Sequence, residues 1–153
     1  MRLPLPTTDS NLLARFHAQC FPEPWSAKFI SALLAEPTCF ALACENGFVL
    51  VRVVGGEAEL LSLGVVPAAR RRGVGSDLLV EALRQARERG ATVMYLEVAE
   101  TNSSAIALYK GHHFAHVGCR KGYYIAPGAA AVNALVLKVE IPPVTVGKSV
   151  QLG

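Results

Sequence analysis

No apolar stretch in these 153 residues reaches the roughly 20 positions needed to cross a bilayer without a charge or a breaker. The opening Met1-Arg2-Leu3-Pro4 has no continuous apolar run of the kind a secretory signal carries. Four cysteines, Cys20, Cys39, Cys44 and Cys119, show no C-x-x-C spacing, which argues against a zinc knuckle or a thioredoxin-type pair. They read as reduced, buried small hydrophobes. His112, His113 and His116 lie close together, but no carboxylate or cysteine completes a ligand set, so no metal is expected. Internal repeats and low-complexity segments are lacking too. Beyond one arginine cluster no basic residues interleave with aromatics, which excludes a nucleic-acid track. A soluble, cytoplasmic protein is the expectation.

What is present is core material. Hydrophobic residues make up 52% of the chain and charged ones 18%, which rules out global disorder. A single domain of this length buries roughly two-thirds of its unfolded surface. The net charge is +3, and five of the fifteen basic residues fall between Arg70 and Arg87. Charge that local fits a small polyanionic ligand.

Asp9 or Ser10 caps a helix to about Cys20, with Leu12, Leu13, Phe16 and Cys20 on one face. Phe21-Pro22-Glu23-Pro24-Trp25 breaks it, and Ser26 caps a second helix to about Ala35. Strands follow at Thr38–Cys44 and Phe48–Val54 around Asn46-Gly47, then Glu57–Val66 after the turn Gly55-Gly56. Helical spacing returns from Gly73 to Glu88 and from Ser103 to Lys110, on either side of a buried strand Val93–Val98. Ala115–Tyr124 and Ala134–Ile141 read as two last strands. Beyond Pro142-Pro143 periodicity ends, so 1–141 is the expected domain and 142–153 an arm or a disordered tail. The order predicts an α/β (α+β) domain with a mixed, largely antiparallel sheet and helices on both faces.

The strongest chemical signal is a strand, a proline-bounded turn, and then Arg70-x-x-Gly73-x-Gly75 opening a helix. Glycines let backbone N–H groups approach a ligand, and the helix start adds its positive dipole end. Arg70, Arg71 and Arg72 add charge for phosphate oxygens. The dinucleotide order G-x-G-x-x-G is missing. An arginine-rich helix start is otherwise a solvated face, and the strand-turn-helix setting favours the phosphate site.

Leu63-Gly64-Val65-Val66-Pro67 followed by Arg70-x-x-Gly73-x-Gly75 resembles the coenzyme-A motif of the GNAT superfamily of N-acetyltransferases. Leu96-Glu97-Val98 and Asn102-x-x-Ala105-x-x-Leu108-Tyr109, with Phe114, are similar to its second motif. Cys20-Phe21-Pro22-Glu23-Pro24-Trp25-Ser26 and Tyr123-Tyr124 resemble the RimI-type protein N-terminal acetyltransferases within it. The likeness runs from about Leu12 to Ile141. His112-His113-Phe114 departs from it where a glycine usually precedes the phenylalanine. The alanine-rich loop Ala126–Ala134, ending in Asn133-Ala134, departs where charged residues are usual.

The resemblance implies a twisted sheet of about seven strands flanked by about four helices, with a β-bulge splaying a central strand pair that holds acetyl-CoA as co-substrate. Leu63, Gly64, Val65 and the turn Arg70, Arg71, Arg72, Gly73, Val74, Gly75 and Ser76 would hold the coenzyme, with the backbone N–H near Val65 on the thioester oxygen. Asn102 would bond the pantetheine, or would only cap its helix.

Acetyl transfer needs a neutral amine, a polarised carbonyl and a protonated leaving thiolate. Glu97 is the one charge in Val93–Ala99, which makes it the candidate base; the alternative is an exposed strand carboxylate. Tyr109 is the matching acid, or a core aromatic. Trp25, Tyr123 and Tyr124 would wall the acceptor slot. The expected acceptor is the α-amine of a protein, a ribosomal protein being plausible, met by a monomer or homodimer. A small amine or lysine is the alternative acceptor, and a non-catalytic CoA-binding module the alternative class.

Overall fold

The computed structural model of the chain describes residues 3–124 and 131–143, with Tyr123 and Tyr124 described as backbone only. The chain runs β1 (Leu5–Thr7), α1 (Ser10–Cys20), α2 (Ala27–Leu34), β2 (Cys39–Cys44), β3 (Gly47–Val54), β4 (Glu57–Val65), α3 (Val74–Glu88), β5 (Val93–Ala99), α4 (Ser103–Gly111), β6 (Ala115–Tyr124) and β7 (Val132–Glu140). The first two helices start where their caps dictate. Asp9 accepts the Leu12 N–H at 3.0 Å, and the Ser26 hydroxyl accepts that of Phe29 at 3.1 Å. Of the expected tail, positions 144–153 lie outside the described residues, as do 126–130 of the alanine-rich loop.

The strands form one seven-stranded sheet in the order β1-β2-β3-β4-β5-β7-β6. Every neighbouring pair is antiparallel except β4 and β5, the pair joined by the α3 crossover. One face packs on α3 and α4, burying Phe40, Leu42, Val49, Val51, Leu78, Leu79, Leu96 and Leu137. The other packs on α1 and α2 through Leu13, Phe16, Ile30, Ala41, Phe48 and Leu50. Alternate residues of β2 and β3 therefore feed opposite cores, which is why both strands read as continuous apolar runs.

Two details were not foreseen, the strand β1 and the residues of the β2–β3 turn, and a third was implied by the family resemblance. The short edge strand β1 contains Pro6, and three residues carry no periodicity to detect. The β2–β3 hairpin turns on Glu45 and Asn46, with Cys44 opposite Gly47. Gly47 itself is demanded by packing, because a Cβ there would sit 2.6 Å from the Gly64 carbonyl oxygen and 2.9 Å from Leu78 Cδ1. The third is a bulge in β4. Leu50 pairs with Ser62 but Val51 pairs with Leu60, so Leu61 is an extra residue. One inserted residue reverses which face each side chain takes. Ala58 and Leu60 face α3 before the bulge, Leu63 and Val65 after it.

Candidate active site

The bulge sits where the sheet opens. β4 and β5 pair only at Glu57–Val93, Ala58–Met94 and Glu59–Tyr95, and past that point no ladder joins Leu60–Val65 to Leu96–Ala99. Val66 donates its N–H to the Asn46 carbonyl on the β3 side, at 2.9 Å. Successive amides of a strand point to opposite edges, so the Val65 amide points into the opening.

The turn beyond β4 is built for close approach. Arg71 (φ 65°) and Gly73 (φ 81°) are left-handed, and Gly73 is the N-terminal cap of α3 with no side chain over the helix end. The first helical bond runs from the Asp77 N–H to the Gly73 carbonyl at 3.0 Å, so the amides of Val74, Gly75 and Ser76 precede the ladder. Gly75 keeps the gap narrow. A Cβ there would lie 3.2 Å from Leu108 of α4 and 3.7 Å from Val65. Ser76 is tied across that gap, its hydroxyl 2.7 Å from His112 Nε2. Arg70 turns back on the chain, donating Nε to the Val65 carbonyl at 3.0 Å, and stands beside the Cys20 thiol. Burial pushes that thiol up, and the arginine opposes the shift. Arg71 and Arg72 are exposed.

On the second motif, Asn102 caps α4, its side-chain oxygen accepting the Ala105 N–H at 3.2 Å. Tyr109 is buried at 6% exposure, its ring edge-on to Phe114 with centroids 5.6 Å apart. The two histidines form the turn after α4. His113 takes the left-handed conformation (φ 71°), and the Phe114 N–H reaches the Tyr109 carbonyl at 3.1 Å.

Glu97 lies on the opposite face of β5 from Leu96 and Val98, which belong to the α3 core. Its side chain is 27% exposed and accepts a hydrogen bond from Arg120 Nη1 at 2.8 Å. Arg120 reaches it across β7, because Arg120 pairs with Ala134 on β7 and Glu97 with Val136. Trp25, half-buried, lies in the link between α1 and α2 on the same face of the sheet. The side chains of Tyr123 and Tyr124 lie outside the described residues.

Two residues escaped the sequence reading. Arg120 had no local signal, since its partner is 23 positions away. His17 did have one, because it falls four residues after Leu13 on the buried stripe of α1. Its Nδ1 accepts the Trp25 N–H at 3.0 Å, which places the proton of the neutral ring on Nε2, 3.2 Å from the Ser62 hydroxyl. Burial lowers its pKa from 6.5 to about 4. Among the described residues no group of three or more His, Cys, Asp or Glu is placed to hold a metal, and no helix is long and apolar enough to cross a membrane.

Comparison with known proteins agrees with this geometry. The profile of the Acetyltransferase (GNAT) family matches residues 10–114. The N-alpha-acetyltransferase RimI of Mycobacterium tuberculosis is 36% identical over 138 residues, 83% of this chain and 85% of that protein. The [Ribosomal protein bS18]-alanine N-acetyltransferase of Escherichia coli K12 is 32% identical over 124 residues, 78% of this chain and 84% of that one. The crystal structure of the ribosomal-protein-S18-alanine N-acetyltransferase from Escherichia coli superposes with a TM-score of 0.80 at 27% identity, covering 94% of each chain. The chain belongs to the acetyltransferase (GNAT) family and is an acetyltransferase enzyme.

Proposed function

We propose that the protein transfers the acetyl group of acetyl-CoA to the N-terminal α-amine of a protein, with a ribosomal protein as acceptor. The observation that carries this reading is the likeness, over about four-fifths of the chain, to enzymes named for N-terminal acetylation. The site supplies chemistry that fits. The amides at Val74, Gly75 and Ser76, with the dipole of α3, cradle the coenzyme's pyrophosphate, and Arg71 and Arg72 add charge from solvent. The thioester lies in the opening between β4 and β5, its carbonyl oxygen on the Val65 amide.

The acceptor comes from the opposite face, past Trp25. Glu97 takes the proton from its ammonium, directly or through a water. The neutral nitrogen then attacks the carbonyl carbon and gives up its second proton to water, the carbon–sulfur bond breaks, and Tyr109 protonates the thiolate and regains a proton from solvent. An α-amine has a pKa near 8 against about 10.4 for lysine, so one carboxylate suffices as base.

The test is mass spectrometry of peptides incubated with acetyl-CoA, with release of free CoA followed in parallel. Acetylation at the α-amine of peptides bearing a ribosomal-protein N-terminus is the expected outcome. Modification confined to lysine ε-amines or to small amines would overturn the acceptor while leaving the acetyltransferase intact.

A further inference from the structure

Among the described residues two polar side chains are buried, His17 at 3% exposure and Ser62 at 7%, and they face each other. Around the imidazole stand Phe21, Trp25 and Phe48, with ring centroids at 4.4, 4.7 and 5.6 Å; Trp25 is stacked at 18°. A polar ring in such surroundings is costly unless its nitrogens are satisfied, whereas a phenylalanine would fill the space without that requirement. Both nitrogens are satisfied, and their partners belong to different parts of the site. Nε2 faces Ser62, which adjoins the extra residue of the β4 bulge. Nδ1 holds the main chain at Trp25, in a link where Pro22 and Pro24 remove two backbone donors.

We infer that His17 is the positioning residue of the acceptor slot, fixing the Trp25 main chain through Nδ1 and anchoring it through Nε2–H to the β4 bulge. The tryptophan wall and the strand that carries Leu63–Val65 are then held as one body. The inference rests on the reading that Trp25 lines the path of the acceptor. Trp25 packs edge-on against Phe29, with centroids 5.1 Å apart, so its indole is located from the α2 side as well. What Phe29 does not supply is a partner for the main chain.

The test compares His17→Leu, His17→Asn and Ser62→Ala in the full chain. Leucine fills space but accepts nothing. Asparagine places its side-chain oxygen where Nδ1 stands and keeps the Trp25 bond. Trp25 is the single tryptophan of the chain, so its fluorescence reports on this residue without any substrate.

His17→Leu is expected to raise the KM for acceptor peptide roughly tenfold, chiefly through the lost bond to the Trp25 main chain, with the KM for acetyl-CoA unchanged. Its Trp25 emission should shift to the red and become more accessible to acrylamide. His17→Asn should recover most of both effects, and Ser62→Ala should show a smaller rise in peptide KM. Wild-type peptide KM and emission in His17→Leu would overturn the inference, as would a His17→Asn variant no better than leucine. If His17→Leu does not fold, His17→Asn and Ser62→Ala decide alone: equal loss of peptide and acetyl-CoA binding in both would show a merely structural role. If the true acceptor is not a protein N-terminus, the wild-type enzyme fails on the peptides, while the emission comparison still judges His17.

Discussion

Glu97 meets a cation before any acceptor arrives, since Arg120 donates to it at 2.8 Å. In the proposed mechanism an acceptor ammonium competes with that guanidinium for the same carboxylate. The pair is partly exposed, 56% at Arg120 and 27% at Glu97, so its stability value is within about 1 kcal/mol and exchange is cheap. Glu97→Gln keeps the shape and removes the proposed base. Its rate is expected to fall by roughly 10² to 10⁴ near neutral pH and to recover in part at high pH, where the amine is already neutral. Tyr109→Phe preserves the packing on Phe114 and should lower kcat by less, with acetyl-CoA binding unchanged. The pH–rate profiles of both variants check this. An unchanged acidic limb in Glu97→Gln would assign the proton to another group, and a normal kcat in Tyr109→Phe would leave Tyr109 a packing residue.

Residue identity was legible where chemistry is local. Glu97 stood out as the one charge of an apolar strand, and Gly73 and Gly75 as breaks ahead of an amphipathic helix. Asn102 illustrates the limit: its capping bond to Ala105 is fully explained by the start of α4, and this leaves its expected coenzyme contact to a binding measurement. Arg120 and the Ser62–His17 pair join residues 23 and 45 positions apart, and no local pattern marks such partners.

At the scale of elements, nearly every helix and strand was legible, because its residues follow a helical or strand period or an apolar run bounded by a cap, a turn, proline or glycine. The bounds agree with the sequence reading to within two residues for each of those elements. The bulge was implied by the family resemblance, but its position was not legible, because one additional apolar residue between Leu60 and Ser62 leaves composition and pattern nearly unchanged. Its effect is nonetheless large, since it turns Val65 toward the junction of β4, α3 and α4.

That junction yields a prediction. In Gly75→Val the new Cβ lies 3.2 Å from Leu108, and the valine methyls overfill the space between α3 and α4. A stability loss of about 1–3 kcal/mol is expected from overpacking. The KM for acetyl-CoA should rise by more than in the Arg71→Ala/Arg72→Ala double variant, whose exposed charges are worth about 1 kcal/mol each at most. Urea denaturation and initial rates separate the two effects. Loss of all coenzyme binding in the double variant, with normal binding in Gly75→Val, would show that side chains and not backbone hold the phosphates.

For the molecule as a whole, the two cores differ in what they bury. The α3–α4 side buries apolar side chains together with the Tyr109 ring, whereas the α1–α2 side encloses an imidazole. The folded state holds that ring neutral with a pKa of about 4, against 6.5 when it is exposed. The unfolded chain therefore binds the proton more tightly between those values. Its contribution is complete above pH 6.5 and is lost as the pH falls from 6.5 towards 4. A shift of that size corresponds to about 3 kcal/mol in full, of which about 2 kcal/mol is gone by about pH 5.

Glu81, whose pKa is lowered by its hydrogen bond from Arg84, acts in the same direction, but below the ordinary carboxylate value of 4.5. The two windows can therefore be told apart. Urea denaturation at about pH 7.5, 6 and 5 should show stability falling steadily in the wild type. In His17→Asn the curve should be nearly flat over that range, because asparagine does not titrate. A decline of equal size in both proteins would place the acid-sensitive group elsewhere, and the buried imidazole would then have no part in the enzyme's acid limit.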